Sequence, residues 1–370
     1  MKARIVLALL LAGGLAGCSS VGKQFAYVTG PGTPEIFQFQ LHSNGSLSAL
    51  SPANAQAGTS PASVVVHPSG SFAYIANFAG NTVTLLSVNH GNGQLTVPVN
   101  SNPIPPPTPA NIFNTGTGPI AVAITPNGSF LYVLNQGSGN IAAFVVSATD
   151  GSLTAIPPPG NPPPSPFFGT LVAPTSIAVS KDGNLLFVAS PSQHSITPFT
   201  IDSKGVLTQG APVVLGVATS PVFVAIEPSG RFLYVADSAG NAVLGFSIQG
   251  NGALTPITGS PFPASSQPVA ITTTPGGALL YVANQGSNNV SGFVIDSNSG
   301  ALGAVAGSPF PTGGKGPTFL AATGTFVYVT ENVTNDVAAF AIGTNGTLTA
   351  VSGSPFNVAT QPVWIALGTE

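Results

Sequence analysis

Side chains able to do chemistry are few in this chain of 370 residues: ten carboxylates, four histidines, seven lysines and arginines, and one cysteine. Four of them could do acid–base or electrostatic work together. Asp237, Glu331 or His194 could serve as a base, and Lys315 as an electrostatic aid. The other histidines, His42, His67 and His90, stand singly and without metal-ligand spacing, so no metal is expected. No His-Glu-x-x-His pair, Ser-centred nucleophile elbow or Gly-rich phosphate loop is present, and no cofactor is expected.

The elements that must position these groups are legible as a repeat. One phrase recurs: Phe25-Ala-Tyr-Val-Thr-Gly30, Phe72-Ala-Tyr-Ile-Ala-Asn77, Phe130-Leu-Tyr-Val-Leu-Asn135, Leu185-Leu-Phe-Val-Ala-Ser190, Phe232-Leu-Tyr-Val-Ala-Asp237, Leu279-Leu-Tyr-Val-Ala-Asn284 and Phe326-Val-Tyr-Val-Thr-Glu331. Its central aromatics are spaced 47, 58, 55, 47, 47 and 47 residues apart. Residues 268–305 show one unit in full. They predict strand a (268–274), a Pro-Gly-Gly turn, strand b (279–284), a loop, strand c (290–296), a turn and strand d (301–305). Four short strands repeated at this period predict an all-β, seven-bladed β-propeller. Scarce helix formers and 45 glycines with 36 prolines agree with it. The first unit starts at strand b, and Gln361-Pro-Val-Trp-Ile-Ala-Leu367 matches strand a of the others. The C-terminus should therefore complete the N-terminal blade, closing the ring and leaving no open edge.

In a propeller the inner strands a line the central channel. The d–a and b–c connections share one face; the a–b and c–d turns share the other. Asp237 and Glu331 end strands b, His194 sits in a b–c loop and Lys315 precedes a strand a, so all four belong to the first face. A structural reading competes: a short polar residue at a strand end commonly bonds nearby loop backbone. Glu331 is too long for that habit.

The Tyr-Val-Thr/Ala-Asn phrase, the Pro-x-Gly turns (Pro68-Ser-Gly70, Pro126-Asn-Gly128, Pro228-Ser-Gly230) and phrases such as Asp150-Gly-Ser-Leu-Thr154 and Asn345-Gly-Thr-Leu-Thr349 resemble the YVTN repeat of the seven-bladed propeller lactonases, the 6-phosphogluconolactonase-like family. The resemblance covers residues 24–368. It implies hydrolysis of a carboxylic ester of the lactone type, with a site on the d–a/b–c face. A phosphorylated lactone would call for Arg or several Lys. Past the N-terminal segment the one arginine is Arg231, in an a–b turn on the opposite face.

Lys2 and Arg4, the apolar run 5–11 and small residues before Cys18 predict a signal peptide over 1–17. Leu15-Ala16-Gly17-Cys18 looks like a bacterial lipobox. Cys18 would then be lipidated, residues 18–23 would form a short tether, and residues 24–370 the propeller. A cell-envelope location follows, at the outer membrane or facing the periplasm, with the membrane met through the lipid alone. Lys23, Lys181, Lys204, Arg231 and Lys315 then face ten acids, a net charge of −5 with no basic stripe, which excludes nucleic acid. A monomer is expected, and the expected partner is an envelope protein, a glycan or a small lactone. Two proline-rich insertions, 100–109 and 157–166, join successive units through d–a connections. They are either plain loop elaboration or a lid, with Phe113, Phe167 and Phe168 as apolar contacts at the channel rim. Two functions are thus in play: a non-catalytic binding scaffold and a hydrolase of an uncharged lactone.

Overall fold

The computed structural model describes residues 23–98, 111–159, 167–358 and 361–369. Seven antiparallel sheets form the blades, and each runs a-b-c-d outward from the axis. The unit read from residues 268–305 is observed as strands Pro268–Thr273, Leu279–Asn284, Asn289–Ile295 and Leu302–Ala304. Strand b is apolar at nearly every position because it is covered on both faces by the neighbouring blades. In Phe232–Asp237 all six residues are buried. The outermost strand has only one covered side, and Leu348–Ala350 is buried only at its first residue.

The ring closes as the sequence predicts. Gln24–Thr29 pairs with Trp364–Thr369, in register from Gln24↔Thr369 to Thr29↔Trp364. Inner strands neighbour one another around the circle, and Trp364–Thr369 meets Pro61–Val66.

A second set of contacts locks blade to blade. The hydroxyl at the centre of strand b donates to a glycine carbonyl in the next blade's c–d turn: Tyr27 to Gly93 at 2.7 Å, Tyr74 to Gly151 at 2.7 Å, Tyr132 to Gly205 at 3.1 Å, Tyr234 to Gly300 at 2.7 Å and Tyr281 to Gly346 at 2.8 Å. Burial raises these phenols, Tyr281 to about 12, so they remain donors. The turn must bring its backbone against the neighbouring blade. Gly151 has φ +73, and a Cβ there would lie 2.7 Å from the Phe72 ring. Two seams lack the bond. Blade 4 carries Phe187 in place of tyrosine, and the buried Tyr328 hydroxyl has no partner among the described residues.

The sequence reading missed a short outer segment in six blades. Residues Ile112–Asn114, Phe167–Phe168, Val213–Val214, Phe262–Pro263, Phe310–Pro311 and Phe356–Asn357 each pair with the half of strand c that strand d leaves open. This corrects the expectation for the three phenylalanines. Phe113 pairs with Val83, Phe167 with Ala142 and Phe168 with Ile141, all at the outer edge of a blade. Phe168 is buried, and Phe113 and Phe167 pack against a neighbouring core. A backbone that forms a ladder puts alternate side chains between blades, so these rings seal the periphery and do not rim the channel. Residues 100–109 and 160–166 of the proline-rich insertions lie outside the described residues, as does Cys18.

Candidate functional site

Every strand a opens on a proline or two residues after one, and the residue following that proline faces the axis at the d–a/b–c end. These residues are Ala62, Ile120, Thr175, Val222, Val269, Thr318 and Val363, and all seven line one cavity of about 350 Å³. One position further along, four blades carry small side chains: Ser63, Ala121, Ser176 and Ala270. The other three carry Phe223, Phe319 and Trp364. Phe319 stacks on Trp364 with ring centres 3.9 Å apart, and Phe223 meets them at 5.6 and 6.2 Å. The trio turns the channel mouth into a cup with an aromatic floor.

The rim of the cup is held from blade to blade. The residue before each of these prolines sits in the left-handed region in six blades, for example Gln267 at φ 53 and Gln361 at φ 54. Such a backbone needs anchoring. Its N–H is gripped by an Asn from the b–c turn of the preceding blade: Asn81 to Gly118 at 2.8 Å, Asn241 to Gln267 at 2.9 Å, Asn288 to Gly316 at 2.8 Å and Asn335 to Gln361 at 2.7 Å. The threonines at the mouth are spent likewise. Thr175 donates to the Val222 carbonyl at 2.8 Å and Thr318 to that of Pro362 at 3.0 Å. The cup is therefore apolar and ringed by bonded backbone, and among the described residues no ionisable side chain lines it.

The four predicted groups lie on the expected face, but none lines the cup. His194 occupies, four residues past the end of strand b, the position held by Asn81, Asn241, Asn288 and Asn335 in other blades. It shares their left-handed backbone at φ 50, and its Nδ1 donates to the Thr219 carbonyl at 2.5 Å. It is a staple between blades 4 and 5. Asp237 is buried and accepts from the N–H groups of Ser220 at 2.7 Å and Gly240 at 3.1 Å, fixing the start of its own strand a. This is the structural reading of a polar strand end. Lys315 is exposed, and its backbone N–H donates to Thr334 Oγ1 at 3.0 Å. None of the four touches the cup.

Glu331 differs. It is fully buried, at 0% exposure, opposite Asp336 in the strand register. Its Oε1 accepts from the Thr312 hydroxyl at 2.5 Å, while Oε2 lies against Gly314 with no hydrogen-bond partner among the described residues. Burial, with the facing Asp336 adding to it, pushes this carboxyl up to about 8. A carboxyl buried facing a second carboxyl keeps its proton to a higher pH than one in water. The Arg231 guanidinium donates to the Ser297 carbonyl in the c–d turn of a neighbouring blade, on the face away from the cup. Among the described residues no group of three His, Cys, Asp or Glu could hold a metal.

The aromatic floor was missed from the sequence, although a signal for it exists. Aligning the seven Pro-x-x starts of strand a shows aromatics in three of them, Phe223, Phe319 and Trp364, and small residues in the rest.

The profile of the seven-bladed β-propeller lactonases matches residues 19–210, 159–261 and 216–314, and the chain belongs to that family. It is 29% identical over 199 residues to a 6-phosphogluconolactonase of Enterobacter sp. (strain 638), covering 52% of this chain and 55% of that one. It is 28% identical over 212 residues to a 6-phosphogluconolactonase of Cronobacter sakazakii, covering 55% and 59%. The aligned region thus spans little more than half the length of these curated relatives. The fold is that of the periplasmic gluconolactonase of Pseudomonas aeruginosa, at a TM-score of 0.73 and 18% identity over 94% of this chain and 99% of that one.

Proposed function

We propose that this lactonase-family propeller is a cell-envelope binding protein, anchored through Cys18, that takes an uncharged and largely apolar small molecule in the cup. The observation that carries the reading is the lining: seven Pro-following residues above Phe223, Phe319 and Trp364, with no ionisable side chain among them. A cavity of about 350 Å³ lies within the range of small-ligand sites. An anion brought into such a site would lose its hydration with nothing to replace it. Trp364 is the chain's one tryptophan and lies in the floor, so its fluorescence reports occupancy. Titration with uncharged lactones and apolar ring compounds should give saturable changes that Phe319→Ala weakens. 6-Phosphogluconolactone should give none. Equal binding of the phosphorylated and unphosphorylated lactones would sink the proposal.

A second reading is hydrolysis of an uncharged lactone at the same mouth. The family membership and the names of the curated relatives favour it. Proton release from a panel of lactones tests it, with the double variant Asp237→Asn, Glu331→Gln asking whether those carboxyls are the base. Absence of turnover in the parent protein refutes this reading and leaves the binding reading standing.

A further inference from the structure

We propose that the anchored molecule rests on the face of its a–b and c–d turns, against the phospholipid headgroups, and holds the cup open away from the bilayer. This rests on the lipid anchor at Cys18.

The exit point of the chain is fixed by strand register. Gln24 pairs with Thr369 at the end of strand a and with Leu41 at the end of strand c. Both ends lie on the a–b/c–d face. Lys23 Nζ donates to the Gly91 carbonyl, in the c–d turn of the next blade, at 2.7 Å. The tether therefore leaves from the side opposite the cup. Five peptide steps separate Cys18 from Lys23, a reach of about 18 Å when fully extended. Strand b alone rises about 20 Å from this face to the other. A path round the outside of the blade adds about 10 Å for the two strands it must clear. The anchor is too short to let the cup face meet the membrane.

That limit decides a question that surface polarity alone would answer the other way. The cup face is nearly free of cations and exposes Val217 at 90%, Val214 at 72% and Val333 at 65%. Without a tether, this apolar face would be the natural one to lie on lipid. The opposite face carries Lys23, Lys181, Lys204 and Arg231, beside Asp150, Asp182, Asp202, Glu227 and Asp296 in the same turns. The two signs offset there, so headgroup contact is set by the reach of the tether more than by charge. The consequence is functional: the cup and its exposed valines are presented to soluble ligands or partners.

The test uses the full chain, processed in a bacterial envelope and reconstituted into phosphatidylcholine vesicles carrying a headgroup spin label. Cys18 is the chain's one cysteine, so Ser43→Cys, in a c–d turn, and Val217→Cys, in a d–a loop on the cup face, each add one free thiol for a dye. The expected result is loss of fluorescence at Ser43→Cys with little loss at Val217→Cys. Inserting a Gly/Ser linker of about 20 residues after Cys18, with a root-mean-square reach of about 25 Å, should abolish the difference. Reversed quenching, or a difference that survives the linker, overturns the orientation while leaving the anchor intact. Fatty-acid incorporation lost in Cys18→Ser reports the anchor separately. No incorporation into the parent chain overturns both the envelope reading and this one.

Discussion

Replacing Glu331 by Gln should remove a pH dependence of stability that the parent protein carries between about pH 4.5 and pH 8. In the folded chain the carboxyl is buried, facing Asp336, and its pKa is raised to about 8; in the unfolded chain it returns to about 4.5. Across that window the folded state holds a proton that the unfolded state has released, so stability falls as pH rises. It is fully present below about pH 4.5 and gone above about pH 8. At about 1.4 kcal/mol per pH unit, the whole window is worth up to about 5 kcal/mol, less than a third of which remains at pH 7. Against typical unfolding free energies of about 5–15 kcal/mol, this is a large fraction. Gln keeps the shape, accepts from Thr312 through its amide oxygen, and can donate to Asp336. Urea midpoints measured from pH 4.5 to pH 9 should therefore fall for the parent and stay level for Glu331→Gln. The variant should be the more stable of the two at pH 8 and above. Parallel curves would refute the reasoning, since they would mean that Glu331 is ionised and compensated in the fold.

Further outcomes follow from the contacts between blades. Tyr234→Phe leaves the buried Gly300 carbonyl without its donor and should cost about 1–2 kcal/mol in urea unfolding. Phe187→Tyr supplies the hydroxyl that blade 4 lacks and should gain about 1 kcal/mol if the Gly252 carbonyl receives it; a loss would show that the seam between blades 4 and 5 has no room. Deleting residues 361–370 removes the inner strand of the first blade and should expose the edge of Gln24–Thr29, read as protease cleavage near the N-terminus and aggregation. Asn288→Ala frees the N–H of Gly316 and should weaken ligand-induced Trp364 fluorescence change more than it lowers the urea midpoint, because the bond holds the cup rim.

The architecture was legible in the chain alone. The seven phrases around Tyr27, Tyr74, Tyr132, Phe187, Tyr234, Tyr281 and Tyr328 define the blades, because a strand covered on both faces is apolar at nearly every position and so leaves a dense, repeated signature. The match of Gln361–Leu367 to other strands a was enough to predict how the ring closes. It also placed Asp237, Glu331, His194 and Lys315 on the correct face, since strand direction follows from the order of strands. What it could not decide was convergence. Whether groups in different blades meet depends on how far each lies from the axis, and position along a strand says nothing of that distance. His194 looked like a base until its left-handed backbone and its bond to Thr219 put it among the asparagine staples. Phe113, Phe167 and Phe168 looked like a rim until their pairing with strand c put them at the periphery. Phe223, Phe319 and Trp364 are far apart in the chain and become one floor only because ring closure brings strand a of the first blade beside strand a of the last.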